Sequence, residues 1–173
     1  FDKAPIVLMG YYNNLLRRGL DKSATDMAKC GISGTIVCDL TPEEASEWIS
    51  ASRSNNLENV FLAAPTSTDS RLDLICNSSS GFVYALSRTG VTGAVQEASD
   101  ASSLVARIRS RTDLPVCVGF GVSTPDHVRS VCSFADGAVI GSWLVDWLDK
   151  NWNEGRGRRK LVEAVRSLKV ATS

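Results

Sequence analysis

Six short apolar runs alternate with longer amphipathic segments, and this alternation constrains the fold more than any other feature of the chain. The runs are rich in β-branched and aromatic residues and lie at 6–9, 35–38, 60–63, 82–86, 116–119 and 138–140. Because the runs are nearly continuous, both faces of each strand should be buried, as in a parallel sheet. The sequence therefore predicts an α/β fold built from repeated βα units.

The segments between the runs carry helical periodicity and clear start signals. The predicted helices are 22–30, 42–55, 69–77, 101–111, 125–133, 144–151 and 157–168. The residues TPEE at 41–44 match a capping box, in which the Thr41 hydroxyl caps the helix and Glu44 bonds back. Thr124, followed by proline, is expected to open a helix in the same manner, and Thr68 to open a third.

Repeated βα units leave two standard architectures open, a doubly wound sheet and a TIM barrel. The fingerprints of nucleotide-binding sheets are absent from the sequence, because GFG at 119–121 is followed by Thr124 where a third glycine is needed. With 173 residues and no break in composition, residues 1–173 are expected to form a single domain. A TIM barrel has eight units and about 250 residues. On this interpretation about six units are present, and the first two are expected to lie before Phe1.

Charge and cysteine content exclude several classes of function. The chain has 19 Lys and Arg against 19 Asp and Glu, which argues against nucleic acid or an anionic membrane as the main partner. The five cysteines form no CxxC pair, and His127 is the single histidine, so no metal site is predicted. Buried free thiols in a reducing compartment are the expected state.

In parallel α/β proteins, functional residues gather where the strands end. Three strand ends carry glycines, Gly93, Gly121 and Gly141, and Gly141-Ser142 directly precedes a helix. The amides and partial positive charge of a helix N-terminus suit a phosphate group. The glycines could equally be ordinary turn residues, and spacing alone does not decide between these interpretations.

Apolar side chains are expected to face the same end of the sheet. They are Met9, Ile36, Cys38, Leu62, Tyr84 and Phe120. They form either an ordinary barrel core or the wall of a pocket for a flat aromatic ligand. Asp39 follows a strand directly and is either catalytic or holds a loop through hydrogen bonds. The strand ends carry no paired carboxylates for acid–base catalysis.

Six segments together resemble the tryptophan synthase alpha chain family, from its third strand onward. They are PIVLMGYYN at 5–13, DLTPEE at 39–44, APTSTD at 64–69, SRTGVTGA at 87–94, VGFGVS at 118–123 and GS at 141–142. The resemblance implies a TIM barrel and a lyase of tryptophan biosynthesis. That enzyme cleaves indole-3-glycerol phosphate by a retro-aldol reaction into indole and glyceraldehyde 3-phosphate.

The resemblance also implies a partner and a location. Indole would pass to a tryptophan synthase beta chain, in a heterotetramer or a fused chain. Pyridoxal phosphate (PLP) would belong to that beta chain, and this chain would hold no cofactor. The protein would act in the cytoplasm, or in a plastid if a transit peptide precedes Phe1.

The residues that match the family motifs receive implied roles. Gly93, Gly121, Gly141 and Ser142 would bind the substrate phosphate. The indole pocket would be lined by Met9, Ile36, Cys38, Leu62, Tyr84 and Phe120. Thr92 would position a catalytic aspartate, Tyr11 would lie beside the reacting group, and Asp39 and Arg88 would contact a loop or the partner. The family's catalytic Glu and Asp would precede Phe1, so this chain alone is expected to be inactive.

One position departs from the family pattern at the phosphate site. Trp143 stands where the family has a small residue, and it would either crowd the phosphate or pack outward. A rival interpretation is a non-catalytic homologue that binds a phosphate ligand or docks to a beta chain. A third, another phosphosugar TIM-barrel enzyme, fits the spacing of the units but not the SRTGVTGA motif.

Overall fold

The computed structural model describes residues 4–87, 94–119, 121–153 and 156–172, without the side chains of residues 94–99. Its strands are β1 (Val7–Gly10), β2 (Gly34–Val37), β3 (Glu58–Val60), β4 (Leu62–Ala63), β5 (Val83–Leu86), β6 (Val116–Gly119) and β7 (Gly137–Val139). All neighbouring pairs are parallel, in the orders β1-β2-β3 and β4-β5-β6-β7. The six predicted strands are confirmed within two residues at each end.

A single residue separates β3 from β4. Phe61 lies between them, and its carbonyl oxygen accepts a hydrogen bond from the Tyr84 amide at 3.1 Å. The segment from β3 to β4 therefore pairs with β2 at its start and with β5 at its end, which joins the two sheets into one parallel array of six strands. That residues 1–173 form a single domain stays a prediction.

Helices cover the outer face of this array. They are α1 (Tyr12–Arg18), α2 (Leu20–Lys29), α3 (Ser46–Arg53), α4 (Asp69–Ser78), α5 (Ala94–Arg109), α6 (Pro125–Cys132), α7 (Ser142–Asn151) and α8 (Arg158–Val170). Trp48, Leu72 and Leu104 are among the largest fully buried side chains, and they pack with Val83 and Val116 of the strands. The main core thus lies between the strands and the helices.

The predicted capping box at Thr41 is wrong. Residues Pro42–Glu44 form a separate 3-10 turn, and the Thr41 hydroxyl makes no capping hydrogen bond. The Glu44 amide instead donates to the Thr41 carbonyl oxygen at 3.1 Å, so the amide that the hydroxyl would have capped is already satisfied. The other two caps are confirmed, since Thr68 accepts from the Arg71 amide and Thr124 from the His127 amide.

Candidate functional site

The inner face of the strand array carries a second apolar cluster. Its buried members are Ile36, Val60 and Tyr84, which lie on neighbouring strands. Partly buried side chains pack against these three: Val7, Cys38, Leu62, Phe82, Leu86 and Val139. Ile36, Cys38, Leu62 and Tyr84 were predicted from the sequence to share a core or pocket, and the fold brings them together.

Met9, another residue of the predicted pocket, is not part of this cluster. Met9 is paired in register with Ile36 on the first strand, but its side chain is 59% exposed. Its exposure follows from its position on β1, which within the described residues pairs on one side only. Phe120 lies outside the described residues.

Tyr84 extends from β5 across the neighbouring strand β6 at Gly119. A Cβ atom on Gly119 would lie 2.0 Å from the Tyr84 hydroxyl oxygen and 2.5 Å from its Cζ. Glycine therefore makes room for the ring. Burial raises the pKa of Tyr84, with smaller contributions from Cys38 and Cys117, so the phenol stays protonated at neutral pH. Sequence reasoning missed this role of Gly119, although the GFG motif singled out the segment.

The N-terminus of α7 lies at the carboxyl end of β7. Gly141 precedes the helix and offers no side-chain cap, while its carbonyl oxygen accepts from the Leu144 amide at 2.9 Å. A Cβ atom on Gly141 would meet nothing within 4 Å, so the space beside this helix end is open. Ser142 is the first helical residue and is exposed. An open, uncapped helix N-terminus of this kind can accept an anion.

A second glycine lies near the same end of the array. Gly121 follows β6 closely and adopts a φ of +79°, a conformation that favours glycine over any residue with a side chain. Three further predicted site residues come after β5 in the sequence and lie outside the described residues: Arg88, Thr92 and Gly93.

Asp39 connects the ends of two neighbouring strands. Its Oδ1 accepts a hydrogen bond from the backbone amide of Tyr12 at 2.7 Å, at the first turn of α1. This hydrogen bond is the kind of contact that the loop-holding role predicts, and the role of Asp39 stays a prediction. Tyr11 precedes Tyr12 and is 63% exposed. Burial, and next the negative charge of Asp39, raise the pKa of the Cys38 thiol, which therefore stays protonated at neutral pH.

A cavity of about 270 Å³ adjoins the inner cluster at the ends of β2 and β4. Cys38 and Leu62 belong to both the cavity wall and the inner cluster. Asp39, Ser67 and Arg71 supply its polar lining. Its other apolar lining residues, Leu40, Phe61 and Ile75, belong to the main core, so the cavity lies between the two apolar clusters at the carboxyl ends of the strands.

Two arginines that sequence reasoning missed hold the loops around this cavity. Arg71 forms an ion pair with Glu43 at 2.5 Å, which ties α4 to the 3-10 turn. Arg107 donates to the Ser67 carbonyl oxygen at 2.7 Å and to Asp69 at 2.9 Å. The hydrogen bond from Arg107, and next the positive charges of Arg111 and Arg107, hold the pKa of Asp69 below its usual range. Both arginines lie on helices, where nothing in the local sequence marks them.

Comparison with known proteins identifies this arrangement. The family model described as "Tryptophan synthase alpha chain" matches residues 2–173. The chain belongs to the tryptophan synthase alpha chain family. It is 44% identical over 168 residues to the tryptophan synthase alpha chain of Roseiflexus sp. (strain RS-1), and the match covers 96% of this chain and 64% of that relative. The corresponding protein of Chloroflexus aggregans is 45% identical over 149 residues, covering 86% and 56%.

Solved structures agree with the sequence comparison. A structure of Mycobacterium tuberculosis tryptophan synthase has a TM-score of 0.86 at 39% identity, covering 98% of this chain and 63% of that chain. The tryptophan synthase α2β2 complex from Pyrococcus furiosus has a TM-score of 0.85 at 36% identity, covering 96% and 67%. The chain is therefore part of a TIM barrel, as predicted. It spans less than two thirds of the length of the curated relatives reported above.

The departure from the tryptophan synthase alpha chain pattern at Trp143 is accommodated by packing. Trp143 packs against a third apolar cluster that includes Val128 of α6 and Leu168 of α8. Of the two alternatives, outward packing is the one that the structure shows.

The described residues contain neither a metal-binding cluster nor a membrane-spanning helix. Within those ranges, no group of three or more His, Cys, Asp and Glu side chains could hold a metal ion. No helix there is long and apolar enough to cross a membrane.

Proposed function

We propose that this chain is part of a lyase that cleaves indole-3-glycerol phosphate into indole and glyceraldehyde 3-phosphate. One observation carries the proposal. An apolar cluster covers the inner face, and an open helix N-terminus follows β7, in a partial TIM barrel that belongs to the tryptophan synthase alpha chain family. That combination suits a substrate with a flat aromatic ring and a phosphate group.

The substrate would lie with its two ends in these two environments. Ile36, Cys38, Leu62 and Tyr84 would contact the indole ring, and Met9 and Phe120 would complete the pocket wall. The backbone amides at Ser142 and Trp143 would donate to the phosphate, with Gly93, Gly121 and Gly141 allowing its close approach.

The reaction needs a proton acceptor and a proton donor. The substrate hydroxyl on the carbon next to the ring loses its proton as that carbon becomes the aldehyde. The electron pair of the breaking carbon–carbon bond stays with the indole ring carbon, which takes up a proton. In the family a Glu protonates the ring carbon and an Asp stabilises charge at the ring nitrogen, and we propose that both lie in the part of the relatives that this chain does not match. Tyr11 and Thr92 would support them, and Arg88 would contact a loop or the partner.

The proposal extends to partner and compartment. The printed title for the Pyrococcus furiosus relative describes an α2β2 complex, and we propose that this chain likewise docks to a beta chain, which holds the PLP. Asp39 lies exposed at the end of β2 and would contribute to that contact. The enzyme would act in the cytoplasm, or in a plastid.

The activity is tested by indole release from indole-3-glycerol phosphate. The 173-residue chain is compared with the same chain extended at its N-terminus by the unmatched part of the Roseiflexus sp. relative. We expect release by the extended chain only. Equal release by both would show that the catalytic acids lie within this chain, and release by neither would favour the non-catalytic rival.

Phosphate binding is tested separately. Gly141→Asp places a side chain and a negative charge in the open space at the α7 N-terminus, and it should abolish binding of glycerol 3-phosphate in calorimetry. Ser133→Asp is the matched control, because Ser133 follows α6 at the opposite end of the strands. Unchanged affinity in the Gly141→Asp variant would show that the phosphate binds elsewhere.

A further inference from the structure

The cavity of about 270 Å³ at the ends of β2 and β4 holds two opposite charges in an apolar setting. Asp39 and Arg71 both lie in its wall. Its apolar lining includes Leu40, Phe61, Leu62 and Ile75. A concave, largely apolar space with a few polar groups is the usual form of a small-molecule site. The volume lies just below the range of about 300–1,000 Å³ that is typical for drug-sized ligands, so the occupant must be small.

Asp39 has one carboxylate oxygen with which to bind a ligand. Its Oδ1 accepts a hydrogen bond from the Tyr12 amide at 2.7 Å, and this bond fixes the carboxylate in the cavity wall. Among the described residues, no donor bonds to Oδ2. An ionised carboxylate only accepts hydrogen bonds, and those from an ammonium group are among the strong ones because both partners are charged.

Arg71 supplies the opposite charge from the first turn of α4. Its backbone amide donates to the Thr68 hydroxyl at 3.3 Å, which fixes the start of the helix. Its Nη1 pairs with Glu43 at 2.5 Å. A guanidinium carries five N–H donors in a planar fork, and within the described part of the chain Nε and Nη2 of Arg71 have no acceptor. These two donors match the two oxygens of a carboxylate.

The two charges disfavour any ligand that carries only one. A lone carboxylate bound to Arg71 would also meet the negative charges of Asp39 and Glu43, and a lone ammonium bound to Asp39 would meet Arg71. A ligand with both charges satisfies both partners, and the apolar wall then takes its side chain. We propose that this cavity binds an α-amino acid with an apolar side chain, with its ammonium on Asp39 and its carboxylate on Arg71.

The rest of the cavity wall agrees with this occupant. Burial and the charge of Asp39 raise the pKa of the Cys38 thiol, so Cys38 stays neutral and adds no third charge. Cys38 and Leu62 also belong to the inner cluster, so the bound amino acid would lie beside the pocket proposed for the indole ring. It would be a ligand distinct from the substrate, and the proposal depends on the cavity and not on the proposed activity.

The first test titrates the 173-residue chain with L-leucine in a calorimeter, beside three probes that each lack one part of it. Isoamylamine lacks the carboxylate, 4-methylpentanoate lacks the ammonium group, and glycine lacks the apolar side chain. We expect L-leucine to bind at one site and each probe to bind on the order of tenfold more weakly. A probe that binds as tightly as L-leucine, or L-leucine that does not bind, would overturn the proposal.

Variants then assign each charge to its partner. Arg71→Gln should make L-leucine bind no more tightly than isoamylamine, and Asp39→Asn should do the same for 4-methylpentanoate. Arg53→Gln is the matched control, because Arg53 ends α3 and is not in the cavity wall. Glu43→Gln breaks the same ion pair as Arg71→Gln but keeps the guanidinium, so L-leucine should bind it at least as tightly as the parent chain. Equal losses in these last two variants would show a merely structural effect and refute the proposal.

Nuclear magnetic resonance on the unaltered chain gives a result that does not depend on the variants folding. The backbone amide signals of Leu40, Leu62 and Ile75 should shift when L-leucine is added, because these residues line the cavity. Shifts confined to other parts of the chain would place the ligand elsewhere and overturn the proposal. Because both experiments measure binding of L-leucine, their failure is separable from a failure to release indole.

Discussion

Gly119→Ala is the substitution whose consequence follows most directly from the geometry. The added methyl group would lie 2.0, 2.5 and 2.9 Å from the hydroxyl oxygen, Cζ and Cε1 of Tyr84. Tyr84 is 6% exposed and packs with Ile36 and Val60, so the ring cannot turn aside without moving its neighbours. The clash must therefore be relieved by displacing a packed side chain or the strand itself.

The size of the effect can be estimated from two opposing contributions. Overpacking of a well-filled core typically costs about 1–3 kcal/mol. Alanine restricts the unfolded chain relative to glycine and returns about 0.4–1 kcal/mol. We expect the free energy of unfolding to fall by roughly 1–2 kcal/mol, measured by urea denaturation with circular dichroism at constant m-value.

A matched control and a double-mutant cycle test the cause. Gly10 is also the last residue of a strand, and a Cβ atom there would meet nothing within 4 Å, so Gly10→Ala should not destabilise. Tyr84→Leu removes the clashing ring atoms, so adding Gly119→Ala to it should cost little. Tyr84→Phe should relieve the clash only in part, because Cζ remains. The reasoning would be refuted if the double variant lost as much free energy of unfolding as the two single variants together, to within about 0.5 kcal/mol.

Two further predictions concern stability. Asp136 accepts from the Val116 amide at 2.8 Å and from Arg109 at 3.0 Å, and these bonds hold the pKa of its carboxyl below the usual range. Because this carboxyl has a lower pKa in the folded chain than in the unfolded chain, it stabilises the fold at every pH above its unfolded-state pKa. This stabilisation is lost as the pH falls through its folded-state pKa. The urea midpoint of the parent chain should therefore drop more between pH 7 and pH 3 than that of Asp136→Asn, and equal drops would contradict this assignment. Thr124→Ala removes the hydroxyl that caps α6 and should cost about 1 kcal/mol, whereas Thr124→Ser should keep most of the stability in the same assay.

The strands could be predicted from the sequence because their burial leaves a local signature. A strand buried on both faces needs a nearly continuous apolar run, and each of the six runs became a strand or, at β3 and β4, a strand with one interruption. The interruption at Phe61 was not predictable, since it arises where pairing passes from β2 to β5. Such a change depends on the curvature of the whole array.

Helix α1 shows why one helix was missed. It has no side-chain cap of its own and no acidic residue in its first turn, so the sequence around Tyr12 carries no start signal. The amide of Tyr12 is instead satisfied by Asp39, 27 residues away. Local patterns predicted the caps at Thr68 and Thr124 because donor and acceptor are neighbours in sequence.

The same distinction applies to the candidate site. Ile36, Cys38, Leu62 and Tyr84 could be grouped from the sequence because a two-residue period assigns each to a strand face. The pairing of Tyr84 with Gly119 could not, because register alone brings together residues that lie 35 positions apart in the printed chain. A glycine that looks like a turn residue in the sequence is here the space that a buried aromatic ring requires. The space beside Tyr84 on the inner face is therefore set by strand register, and under the proposed function substitutions at Gly119 should alter ligand size preference before they alter phosphate binding.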